Sequence, residues 1–184
     1  FFLKRQIAWL GFGVLLMHLT SRIDYQLWKK LSIPILVTMV VLLVMVLIPS
    51  LGVAAKGARR WLRWGLISIQ PAEMVKLVTV IYLAAYLARK SDKVTWFRNG
   101  LLPVLIVVGL LSGLVLLEPD LGTVVVLGLV TVGLLFLGGA RIAHLAGLAL
   151  CAIPVVLVLV LGSRYGGQRL MTFLAPWKDA SDAG

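Results

Sequence analysis

Four clusters in the 184-residue chain carry residue types that can do chemistry. The first is Gly57-Ala-Arg-Arg-Trp-Leu-Arg-Trp64, which sets Arg59, Arg60 and Arg63 beside Trp61 and Trp64. Guanidinium groups grip phosphate oxygens two at a time, and tryptophan rings settle at a membrane interface. Such a segment suits a lipid bearing a phosphate or diphosphate; the plainer reading is an interfacial amphipathic loop on ordinary anionic headgroups. The second cluster is Gln70-Pro-Ala-Glu73 followed by Lys76. Pro71 and Glu73 suit the first turn of a helix, and Lys76 falls on the same face as Glu73. A lysine inside an apolar span is costly and points to function, with pairing to Glu73 as the structural alternative. The third is Glu118-Pro-Asp-Leu-Gly-Thr123, a tight turn with two carboxylates. Asp120 and Pro119 fit helix-start roles, and two carboxylates without a third ligand make a poor metal site, so no metal-ligating set is assigned. The fourth is the basic, aromatic run Arg164 to Asp179, in which Asp179 follows Trp177-Lys178. A loop of that kind can position a base; a solvated acid is the other reading. His18 and His144 read as helix-end histidines, and there is no Ser-His-Asp set, P-loop or HExxH motif.

The elements that must hold these clusters follow from composition. Hydrophobic residues make up 61% and charged residues 14% of the chain, and the mean hydropathy is +1.04. A soluble domain is about half apolar and about a quarter charged. That composition excludes a soluble globular protein, and its hydrophobicity excludes disorder. The single cysteine, Cys151, excludes a disulfide framework and a cysteine-based zinc site. The chain is predicted to be an all-α, polytopic transmembrane bundle. The net charge of +11 then reads as topology signals and contacts with membrane lipids rather than nucleic-acid binding.

A span needs about 20 apolar residues. Six are predicted: Gln6–Thr20, Leu31–Leu51, Met74–Ala88, Leu101–Leu117, Leu121–Gly139 and Ile142–Gly162. Gly109 and Gly113 have the spacing that lets helices approach closely, and Pro154 should kink the sixth span. The start without Met and the polar end at 163–184 are expected of a piece of a longer protein. Alternation puts Ser21–Lys30, Arg89–Gly100 and Arg141 on one side. The other side carries Lys4-Arg5, Gly52–Glu73, Glu118–Asp120 and Ser163–Gly184. Basic residues divide almost evenly between the two, against the usual inside bias. Five of the seven acids fall on the second side, which therefore reads as an extracytoplasmic site for something anionic, and the first as a plain cytoplasmic face.

Together these pieces resemble the SEDS family, which includes FtsW and RodA. The resemblance runs through Lys4-Arg5-Gln6, Gly57–Trp61, Gln70-Pro-Ala-Glu-Met-Val-Lys76, Glu118–Thr123, Phe136-Leu-Gly-Gly-Ala-Arg141 and Arg169–Asp179, in the family's order. Phe136–Arg141 and Phe173–Asp179 look more like FtsW, and Glu118 before Pro119 is at home in RodA-like sequences. The resemblance implies one SEDS-type membrane domain over 1–184, the second to seventh helices of a ten-helix core, with 163–184 opening a large extracytoplasmic loop. It implies an inverting peptidoglycan glycosyltransferase that polymerises lipid II at the outer face of the cytoplasmic membrane, with undecaprenyl diphosphate as leaving group. Asp179 matches the position of the family's catalytic Asp, with Asp182 second. Arg59, Arg60, Lys76 and Arg169 would stabilise the diphosphate, a role a divalent cation (Mg or Mn) could also serve; Glu73, Glu118 and Asp120 complete the expected substrate-binding set. Ala72 and Ala175 depart from the family pattern, which usually has Ser at the first and often Asp or Asn at the second. Expected partners are a class B penicillin-binding protein and other divisome or elongasome proteins. A lipid II flippase and a division or elongation scaffold are the rival readings.

Overall fold

The computed structural model describes residues 2–55, 58–64 and 67–162. Six helices stand at the six expected places: α1 (Phe2–Ser21), α2 (Tyr25–Leu47), α3 (Pro71–Arg89), α4 (Leu102–Leu117), α5 (Leu121–Leu137) and α6 (Ile142–Gly162). Among the described residues, four stretches are long and apolar enough to cross a membrane: Tyr25–Leu47, Pro71–Arg89, Phe97–Leu117 and Ile142–Leu159. The third joins α4 to a π-helical turn, Phe97–Leu101. α5 is apolar but has 17 residues, about 25 Å of rise.

Local chemistry moves three boundaries. α2 begins six residues before its expected start because the Asp24 carboxylate accepts the Gln26 N–H and caps it. It ends at Leu47, ahead of Ile48-Pro49. α3 begins at Pro71, where the missing proline N–H is no loss. α6 continues through Pro154.

α3 is the centre of the bundle. Ala72, Val75, Thr79, Leu83 and Tyr86 recur at three- and four-residue spacing and are buried, and α3 packs on α2, α4 and α5. One apolar cluster joins Met39, Leu43, Ala72, Val75, Leu111, Val115 and Leu127 at one end. A second joins Leu83, Tyr86, Leu101, Val104, Leu135 and Leu145 at the other. In lipid, association rests on such close packing, because the lipid tails are as apolar as leucine. The buried hydroxyls of Thr79 and Thr131 donate to Val75 O and Leu127 O, each at 2.7 Å, within their own helices. Gly109 and Gly113 face open space, so their spacing makes no helix contact among the described residues.

The segment expected to be an amphipathic loop holds an antiparallel sheet in the order β1 (Gly52–Ala55), β2 (Ala58–Trp64), β3 (Ile67–Ile69). It sits on the end of α2 where the chain leaves Ile48. A Cβ on Gly52 would overlap the Val46 carbonyl oxygen, so only glycine allows this close approach.

Candidate functional site

The site grows from an irregularity in the sheet. Val53 pairs with Trp61 and Ala54 with Arg59, which leaves Arg60 as the unpaired residue of a β-bulge. Bulges re-aim side chains. Arg59, Trp61 and Arg63 are exposed, whereas Arg60 is half-buried. The Arg60 Nε–H donates to the Glu118 carbonyl at 2.9 Å, and Nη2 donates to the Pro119 carbonyl. One guanidinium thereby ties β2 to the α4–α5 turn. The same carbonyls lie past the end of α4, where the backbone has acceptors to spare.

Asp120 caps α5. Its carboxylate accepts the Thr123 N–H at 3.2 Å and the Thr123 hydroxyl at 3.0 Å. Asp120→Ala is expected to lower stability by about 1 kcal/mol, whereas Asp120→Asn keeps most of the cap. Thermal unfolding of the two variants checks this: equal midpoints would remove the cap from the account.

Glu118, expected among the substrate-binding residues, is enclosed in the α4–α5 turn. Its relative exposure is 0%, and neither carboxylate oxygen has a hydrogen-bond partner among the described residues. Burial, reinforced by the Asp120 carboxylate and partly offset by Arg60, pushes its pKa up from 4.5 to about 7. The turn it occupies is the one that Arg60 holds through the Glu118 carbonyl.

At the start of α3, Lys76 Nζ meets Glu73 Oε2 at 2.7 Å, the only ion pair among the described residues. Both partners keep solvent contact, so an anion entering from outside can compete for the ammonium. Arg60 therefore meets the backbone of the turn that carries Glu118 and Asp120, Glu73 and Lys76 form a pair on α3, against which β2 packs, and Arg59 stays exposed. Asp179 and Arg169 lie outside the described residues. The bulge at Arg60 had no signature in the sequence.

The family described as "Cell cycle protein", that of FtsW, RodA and SpoVE, matches residues 1–184. The chain belongs to the FtsW/RodA/SpoVE family. The "Probable peptidoglycan glycosyltransferase FtsW" of Geobacter sulfurreducens is 39% identical over 100% of this chain and 49% of its own length. The stage V sporulation protein E of Bacillus subtilis is 38% identical over 100% of this chain and 50% of its own. The solved rod shape determining protein RodA of Thermus thermophilus has a TM-score of 0.62 and 31% identity, over 82% of this chain and 49% of that one. A chain from a structure titled as a peptidoglycan synthase complex coordinating polymerization and crosslinking has a TM-score of 0.69 and 28% identity, over 96% and 52%. The chain spans about half the length of the curated relatives it matches. As an FtsW/RodA/SpoVE member with four membrane-length apolar stretches, it is a multi-pass membrane protein.

Proposed function

We propose that this chain is part of a peptidoglycan glycosyltransferase of the FtsW type, polymerising lipid II in septal wall synthesis. The observation that carries the reading is the match of all 184 residues to this family, with FtsW relatives named for that activity. In this reading the acceptor sugar's 4-hydroxyl attacks the donor's anomeric carbon. The bond to undecaprenyl diphosphate breaks, and the Asp179 carboxylate takes the hydroxyl proton. Arg59, Lys76 and Arg169 face the growing diphosphate charge. Arg60 has donors left beyond the two carbonyls it holds, so it steadies the turn and still offers N–H groups to an oxyanion. Inversion at the anomeric carbon follows from the family resemblance.

The charged end carrying β2, Glu73 and Asp120 is assigned to the extracytoplasmic face, where lipid II would be met. A class B penicillin-binding protein is the proposed partner, in keeping with the synthase complex that a structural neighbour comes from. Other divisome or elongasome proteins would join it. A divalent cation, Mg or Mn, would share with Arg59, Lys76 and Arg169 the role of offsetting charge at the diphosphate.

The flippase reading needs a polar path through the bilayer centre. Among the described residues, the buried hydroxyls of Thr79 and Thr131 are spent on their own helices, and Lys76 lies within the first two turns of α3. The test is purified lipid II given to the full-length protein with its partner. Glycan strands, lost about a hundredfold in Lys76→Met, support the polymerase. Translocation of lipid II in vesicles with no polymer would overturn it.

A further inference from the structure

At the opposite end of the bundle, α2 begins and α3 finishes beside each other around an open groove of about 420 Å³, lined by Tyr25, Gln26, Lys29, Lys30 and Arg89. Three cations line it and no acid does. Arg89 is held in place: its Nε–H donates to Ala85 O at 3.0 Å, and Nη2 donates to the Ser32 hydroxyl at 2.7 Å. Ser32 is fully buried and itself donates to Lys29 O at 2.9 Å. Two helices thus fix a guanidinium whose remaining N–H groups have no carboxylate partner among the described residues. The nearby acids are already engaged. Asp24 accepts the Gln26 N–H, and Asp92 accepts the Ser91 hydroxyl. Lys90, the next residue after α3, lies over the Tyr86 ring at 5.4 Å.

We propose that this groove binds the phosphate headgroup of an anionic membrane lipid, in the leaflet opposite the Arg60 site. The chemistry is that of a preset arginine with two flexible lysines, which suits a phosphodiester monoanion. The location selects a lipid over a dissolved anion. The groove sits at the ends of two membrane-length helices, with the Tyr25 ring exposed at interface depth. Basic grooves between helices at a membrane surface recognise lipid headgroups in this way.

The experiment titrates phosphatidylglycerol and phosphatidylcholine into the full-length protein in detergent and counts bound lipid by native mass spectrometry. Removing three cations at roughly fivefold each should weaken phosphatidylglycerol binding on the order of a hundredfold in K29Q/K30Q/R89Q. Phosphatidylcholine binding should not change, nor should K93Q/R98Q lose affinity. If the triple variant does not fold, K29Q/K30Q keeps the Arg89–Ser32 bond and should lose about twenty-fivefold. Phosphatidylglycerol binding that is unchanged in these variants overturns the proposal. So does displacement by inorganic phosphate as effective as by the lipid, which would mark a site for soluble anions. Absence of lipid from the wild-type groove, because another part of the longer chain fills it, overturns it as well.

Discussion

Asp179→Asn in the full-length protein is expected to leave lipid II binding intact and to slow its polymerisation about a thousandfold. A positioned general base contributes roughly 10²–10⁴ to such a step. Asparagine keeps the size and hydrogen-bonding reach of the carboxylate but takes no proton at neutral pH. The loss should therefore fall on kcat, with little change in the affinity for lipid II. Single-turnover chain extension with the partner present separates the two quantities. Activity equal to wild type would move the base elsewhere, and Asp182→Asn would then be the variant to measure. An equal fall in binding would instead make Asp179 a lipid II ligand.

Glu118→Gln is expected to stabilise the protein at pH 8 by about 3 kcal/mol and to change little at pH 4. Glu118 follows the span Phe97–Leu117 directly and is fully enclosed. In the unfolded chain its carboxyl ionises near 4.5, and in the folded one near 7. Between these values the folded state holds a proton that the unfolded state has released. Stability therefore falls as pH rises from about 4.5 to 7, and the full cost is present above 7. Glutamine is neutral at every pH and nearly the same shape, so it removes that cost. Thermal midpoints of wild type and variant should coincide in acid and separate as pH rises. Curves that stay parallel from pH 4 to 8 would show that Glu118 titrates as an ordinary surface carboxylate. Glu118→Ala also removes the titration but leaves a void in the turn, so it should fall below Glu118→Gln at every pH.

The helices were largely legible in the sequence. A membrane span is defined by a local quantity, an unbroken apolar run whose backbone satisfies its own hydrogen bonds, and no distant residue is needed to recognise it. All six elements stand where hydropathy places them, and the helix-start chemistry of Asp120 and Pro71 was equally readable because caps act within a few residues. The boundary of α2 was less so. Tyr25 to Lys30 is polar enough to hide a helix that the Asp24 cap starts, and that the packing of α2 on α3 keeps. The family, too, was legible, since its signature is a series of short motifs in order along the chain.

What only the tertiary structure decided involves residues far apart. The Gly57–Trp64 segment looked like a loop because its alternation is short and its charges dominate. It became a sheet by resting on the end of α2, where Gly52 alone permits the approach. Arg60 and Glu118 are 58 residues apart, and Ser32 and Arg89 are 57 apart. No periodicity links such pairs. Arg60, expected to meet the diphosphate, clamps the α4–α5 turn, and Glu118, expected in the substrate-binding set, is enclosed in that turn. The sequence by itself determined which segments are apolar helices, four of them long enough to cross a membrane among the described residues, because that depends on residue type alone. The three-dimensional packing determined which charges meet, because a bulge, a close glycine contact and a buried serine act only across the whole bundle.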